Sequence, residues 1–160
     1  MKQEKLFHTI IATGFGSGFS PIAPGTAGAL LATLAWLGAF FAGLSFPLLF
    51  LSTATAIVLF TLLGVKAANT LEPEWGEDPS RIVVDEMVGV WIPLLAINSD
   101  KHVVLYALVA FVLFRFFDIL KPLGIRKMES VKGGWGVMLD DILAGVYSFI
   151  ILKGIIWLIK

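Results

Sequence analysis

An all-α integral-membrane bundle of about five crossing helices is the fold class this 160-residue chain predicts, and three observations predict it. Apolar residues make up 58% of the chain, against roughly 45–50% in soluble domains, and charged residues 15% against about 25%. Mean hydropathy is +0.89. From Leu6 to Val65, 60 consecutive residues contain no Asp, Glu, Lys or Arg. A water-facing surface needs more charge than that, which disfavours an ordinary soluble enzyme. Disorder needs low apolar content, a coiled coil needs heptads and a nucleic-acid binder needs a basic excess, so these are excluded. The absence of cysteine removes disulfides, thiolate nucleophiles and Cys-based zinc sites together. The length suits one membrane-embedded domain, residues 1–160.

The elements follow in chain order. Leu6–Gly14 resembles a signal peptide only at Lys2 and Lys5. His8, Thr9 and the following Gly-Ser-Gly break its apolar core, and no cleavage site follows, so it reads as a short amphipathic or re-entrant lead-in. A span needs roughly 20 apolar residues to cross about 30 Å at 1.5 Å per residue. Residues 27–43 and 46–65 satisfy this, with Gly43 and Pro47 marking a tight turn between them. Residues 82–97, 102–119 and 141–159 complete the five, each shorter in uncharged length. Trp75, Trp91, Trp135 and Trp157 fall near the span boundaries and suggest an interfacial belt, and His8 suggests an interfacial position.

With five crossings, the N-terminus, the 66–81 loop and the 118–140 loop share one side. That side carries Lys2, Lys5, Lys66, Arg81, Arg115, Lys121, Arg126, Lys127 and Lys132; the other carries Lys101 and Lys160. The asymmetry places the first side in the cytoplasm. The same parity sorts the acids. Asp85 and Glu86 begin the third span, Asp118 ends the fourth, and Asp140 and Asp141 begin the fifth, so five carboxylates lie at one depth on one face. Glu72, Glu74 and Glu77 read as a solvated loop face, Asp78 as a turn residue, and His102, with Asp100 and Lys101, as loop on the opposite side.

Acids at helix N-termini gain about 0.3–1 kcal/mol from the macrodipole, which covers Asp85/Glu86 and Asp140/Asp141. It does not cover Asp118, near a helix C-terminus, where Arg115 and Lys121 flank it at three-residue spacing. Ionisable groups at membrane depth are costly and mark functional sites. Five converging carboxylates call for a cation, and an oxygen-only set favours Mg²⁺, Mn²⁺ or Ca²⁺ over zinc. The segment Gly14-Phe15-Gly16-Ser17-Gly18-Phe19-Ser20-Pro21-Ile22-Ala23-Pro24-Gly25-Thr26 precedes the first span on the same face. Its glycines and the helix N-terminus at Gly25-Thr26 suit an anion cradle, with Thr26 a candidate N-cap.

Four ordered stretches resemble the phosphatidylglycerophosphatase A family of bacterial membrane lipid phosphatases: residues 14–28, 78–89 (Asp78-Pro79-Ser80-Arg81 to Asp85-Glu86-Met87-Val88-Gly89), 114–122 (Phe114-Arg115-Phe116-Phe117-Asp118 to Lys121-Pro122) and 134–145 (Gly134-Trp135-Gly136 to Asp140-Asp141-Ile142-Leu143-Ala144-Gly145). The resemblance implies Mg²⁺-dependent hydrolysis of the terminal phosphate of phosphatidylglycerophosphate, in the bacterial inner membrane, with the site facing the cytoplasm. It carries the acidic motif positions to Asp85, Glu86, Asp118, Asp140 and Asp141, as metal ligands, and the basic ones to Arg115 and Lys121. Catalytic roles are expected of Asp85, Glu86, Asp118 and Asp141, and phosphate binding of Ser20, Gly25, Thr26, Arg115 and Lys121. The partners are then the lipid substrate and membrane lipids, with no nucleic acid. With no Cys, no Asp-x-Asp-x-Thr/Val run and no histidine beside the acids, the expected route is direct attack by a metal-activated water, with Glu86 or Asp141 taking its proton.

Two rivals make different demands. A head-group transferase on CDP-activated lipid would also place Asp and Mg²⁺ at a membrane face, but its Asp-Gly and Ala-Arg pattern on one helix pair is absent. A small cation transporter needs acids near the midplane or on both faces. Here they gather on one.

Overall fold

The computed structural model describes residues 2–99, 101–128 and 130–159. Asp100, Lys160 and the side chain of Lys2, assigned to sides above, lie outside that description. The described residues form seven α-helices and one 3₁₀ turn, with no strand among them: α1 (Lys2–Ala12), the turn Ser17–Phe19, α2 (Pro24–Phe41), α3 (Phe46–Trp75), α4 (Val84–Leu94), α5 (Val103–Leu120), α6 (Ile125–Met128) and α7 (Gly134–Ile159). The chain is a multi-pass membrane protein in which α2, α3, α5 and α7 are long and apolar enough to cross a bilayer.

This corrects the expectation of five helical spans. The third is the 11-residue α4, about 16 Å long, too short to cross alone. Nine of its residues are buried, including Val84, Val88, Val90 and Leu94, because α2, α3, α5 and α7 all pack around it. A helix apolar on every side needs such enclosure. Beyond Leu94 the amides of Leu95, Ala96 and Ile97 bond to the carbonyls of Ile92, Pro93 and Leu94. Non-helical backbone is tolerated at membrane depth when protein covers it and its polar groups are paired. The start of α4 meets the end of α5, a helix about 27 Å long, so residues 84–103 still traverse the bundle. The five carboxylates therefore share one end.

Helix ends differ from expectation for one recurring reason: charge ends an apolar span without ending a helix. The second span was expected to stop at Val65, yet α3 continues ten residues through Lys66 and Glu74 to Trp75, so most of the expected 66–81 loop is helix. At about 45 Å, α3 outreaches the hydrocarbon core and projects beyond it. Helix α1 packs on α3, tied by the Lys5–Glu74 ion pair. The last helix starts at Gly134 rather than 141, where Asn69 Oδ1 on the α3 projection accepts the Gly134 N–H at 2.6 Å.

Helices α4 and α7 pack glycine against glycine. A Cβ on Gly145 would lie 2.4 Å from the Gly89 carbonyl oxygen, and one on Gly89 would lie 2.3 Å from the Phe114 ring. Gly145→Ala is expected to destabilise the bundle by about 1–3 kcal/mol through overpacking, read as a lower thermal unfolding midpoint in detergent. One aromatic expectation also changes. Trp91 is not in an interfacial belt: it is buried, and its Nε1 donates to the Ala32 carbonyl at 3.3 Å. His8 is buried, 7% exposed.

Candidate functional site

Four helix ends converge on the carboxylates. Asp85 and Glu86 lie in the first turn of α4, Asp118 in the last turn of α5, Asp140 and Asp141 two turns into α7, and Gly25 in the first turn of α2. Asp85, Glu86 and Asp141 each present a carboxylate oxygen within 4.8 Å of the others. Asp85 and Asp141 are buried and Glu86 half-buried. Glu86 lies within hydrogen-bond reach of Asp85, and Asp118 of Asp141. The α4 dipole favours Asp85 and Glu86, but Asp140 and Asp141 lie too far into α7 to draw on its N-terminus. Like charges this close repel strongly unless a cation or protons separate them.

The trio fits a hard divalent cation on two counts besides its oxygen donors. Glu86 Oε2 is buried with no hydrogen-bond partner among the described residues. Beside it, Gly25 leaves room: a Cβ there would fall 2.0 Å from Glu86 Oε1 and 3.3 Å from Arg115 Nη1.

The other two acids hold cations of their own. Arg115 Nη1 donates to Asp118 Oδ2 at 2.5 Å, the spacing foreseen within α5. Lys121 Nζ donates to Asp140 Oδ2 at 2.6 Å, crossing from the end of α5 to α7. Arg115 Nε is buried without an acceptor among the described residues, an orphan donor on the side chain whose Nη1 lies by Gly25.

The Gly/Pro segment meets Glu86 and Arg115 at Gly25. Thr26 is not the N-cap: Ala23, at φ 47°, holds that position, Pro24 starts the helix, and Thr26 is half-buried in its first turn. The Ser20 hydroxyl donates to the Ile22 carbonyl at 2.9 Å. The first-turn amides of α2 have no intrahelical acceptor and give this corner a positive end.

A cavity of about 280 Å³ adjoins the site between the end of α3 and the start of α7. Glu72, Glu77, Asp78, Lys132, Gly134 and Asp140 are among its walls. Glu72 is thus not part of a solvated loop: it stands on α3 in the cavity wall, and Glu74 is paired with Lys5. Asn69 and this cavity were invisible in the sequence, because both depend on α3 continuing past its apolar stretch.

The family profile described as Phosphatidylglycerophosphatase A matches residues 10–156. The chain belongs to that family. Among curated proteins, it is 42% identical over 152 residues to Phosphatidylglycerophosphatase A of Haemophilus influenzae, covering 91% of this chain and 86% of the relative. The Escherichia coli protein of the same name is 38% identical over 151 residues, 92% and 82% of the two chains. A Bacteroides thetaiotaomicron protein, provisionally named phosphatidylinositol-3-phosphatase, is 60% identical over 159 residues, 99% of each chain. No solved structure matches at a significant level. The phosphatidylglycerophosphatase A profile spans every helix end that carries a site residue, from the loop before α2 to Asp141 on α7. The chain is a lipid phosphomonoesterase of this family.

Proposed function

We propose that the chain hydrolyses the terminal phosphate of phosphatidylglycerophosphate, giving phosphatidylglycerol and inorganic phosphate, with Mg²⁺ as cofactor and as one domain of residues 1–160. The observation that carries this reading is the meeting of the Asp85–Glu86–Asp141 trio, the Arg115–Asp118 pair and the Gly25 backbone at one point. The basic excess beside these residues supports a cytoplasmic orientation in a bacterial inner membrane. A site at the end of membrane-crossing helices suits a lipid whose phosphate head lies at the interface.

Asp85, Glu86 and Asp141 would hold the ion. When bound, it supplies charge neutralisation of the phosphate oxygens and acidification of water. The chain's own residues do the rest. Arg115, held by Asp118, and Lys121, held by Asp140, bind phosphate oxygens as fixed donors. Gly25 lets the first-turn amides of α2 approach the same group. Glu86 or Asp141 accepts the proton of the attacking water as the phosphorus–oxygen ester bond breaks, and the head-group alcohol leaves with a proton.

A phosphatidylinositol phosphate is the second reading for the substrate, favoured by the 60% identical relative. Both are phosphomonoesters on a lipid polyol, and one assay separates them. Purified protein in detergent is incubated with phosphatidylglycerophosphate or phosphatidylinositol 3-phosphate, with Mg²⁺ or with EDTA, and released phosphate is measured. Mg²⁺-dependent release is expected, faster from phosphatidylglycerophosphate, and EDTA should abolish it. Release from the inositol lipid alone would move the substrate assignment. Release from neither would sink the phosphatase reading.

A further inference from the structure

Asp140 and Asp141 are neighbours in sequence, but one residue on a helix is about 100° of rotation, so they face different surroundings. Asp141 joins the trio, whereas Asp140 lines the 280 Å³ cavity. The Oδ2 of Asp140 accepts from Lys121. Its Oδ1 has no hydrogen-bond partner among the described residues, although Asp140 is only 6% exposed. An unsatisfied buried carboxylate oxygen is costly and marks a place for a donor or a cation.

The rest of the lining selects the cation. Glu72, Glu77, Asp78 and Asp140 stand in the walls, and Lys132 in the lining and Lys121 on Asp140 leave the acids in excess. A concave surface of that sign repels phosphate and concentrates cations. It is also close to the trio: Asp78 lies within electrostatic reach of both Asp140 and Asp85. Its α3 wall, Ala68 and Glu72, belongs to the projection beyond the apolar stretch, so the cavity faces water rather than lipid tails. The volume is adequate for an ion with its water, since six waters at about 30 Å³ each take about 180 Å³.

We propose that this cavity is a cation vestibule, a site for a hydrated divalent ion beside Asp140 Oδ1 that supplies the trio from the aqueous side. The proposal rests on the reading of Asp85, Glu86 and Asp141 as a metal site. The cation then enters from water while the lipid arrives from the bilayer, and neither blocks the other's path.

The test measures loading, not turnover. Full-length protein in an uncharged detergent is stripped with EDTA, desalted and mixed with MnCl₂, and the loss of the free Mn²⁺ electron paramagnetic resonance signal is followed by freeze-quench. In the triple variant E72Q/E77Q/D78N, loading should be about 10-fold slower and less sensitive to ionic strength, because focusing by fixed charge is lost. Asn tolerates the left-handed backbone of Asp78, φ 45°. Glu77→Lys, a second variant with one side chain changed, should also slow loading. Glu74→Gln removes a nearby charge that is paired with Lys5 and lies outside the cavity, and it should load at the wild-type rate. If E77K and the triple variant both load at the wild-type rate, or E74Q slows as much as they do, the vestibule is wrong while the metal site stands. Wild-type protein that takes up no Mn²⁺ overturns the metal-site reading and the vestibule with it.

Discussion

Asp141→Asn is expected to lower phosphate release by about 10³-fold, the scale of losing a positioned acid–base group or a metal contact. The substitution keeps the shape of the side chain and removes one negative charge from a trio whose oxygens lie within 4.8 Å of one another. Mn²⁺ affinity, measured by the same resonance signal, should fall with activity. Asp118→Asn makes the informative comparison. It should also abolish most activity, but by releasing Arg115 from the 2.5 Å pair that fixes it. Mn²⁺ affinity should then be largely retained while KM for the lipid phosphate rises. Equal Mn²⁺ affinities in the two variants would mean that Asp118 and Asp141 do not divide the work in this way. Asp141→Asn should melt close to the wild type, since like-charge repulsion is relieved, whereas Asp118→Asn should melt lower because it leaves the largely buried Arg115 guanidinium without its partner.

That division was only half legible in the sequence. Crossing parity was enough to bring Asp85, Glu86, Asp118, Asp140 and Asp141 to one end, and the structure places them there. Parity carries no information about rotation around a helix. Adjacent residues on α7 diverge by about 100°, so Asp141 meets α4 while Asp140 meets Lys121 and the cavity. The start of α7 was misjudged for a related reason. Gly134 and Gly136 look like loop residues, but each is buried against backbone: a Cβ on Gly134 would lie 2.3 Å from the Val65 carbonyl oxygen, and one on Gly136 would lie 1.9 Å from that of Val131. Their helix is secured by tertiary contact and the Asn69 cap rather than by local propensity. Likewise α4 reads as an ordinary apolar segment, and only enclosure by four neighbours explains how an 11-residue helix can serve where a full span was expected.

Gly25→Ala should lower activity by about 10²-fold while leaving the fold intact, a larger loss than one methyl group ordinarily causes. The backbone is not the obstacle. Gly25 lies in the first turn of α2 without a positive φ, and Ala is the better helix former by about 1 kcal/mol. The obstacle is the new Cβ, 2.0 Å from Glu86 Oε1 and 3.3 Å from Arg115 Nη1. Either Glu86 leaves the trio or the first turn of α2 lifts away from Arg115. A displacement near 1 Å at a reacting centre costs about this much in rate. The two responses have different signatures: loss of Glu86 weakens Mn²⁺ binding, whereas a lifted α2 raises KM with Mn²⁺ binding unchanged. Gly38, on the same helix, has open space where a methyl group would go, with nothing within 4 Å, so Gly38→Ala should leave rate and Mn²⁺ affinity at wild-type values. If Gly25→Ala behaved like Gly38→Ala, the α2 terminus would have no part in the site, and the anion-cradle reading of the Gly/Pro segment would fail with it.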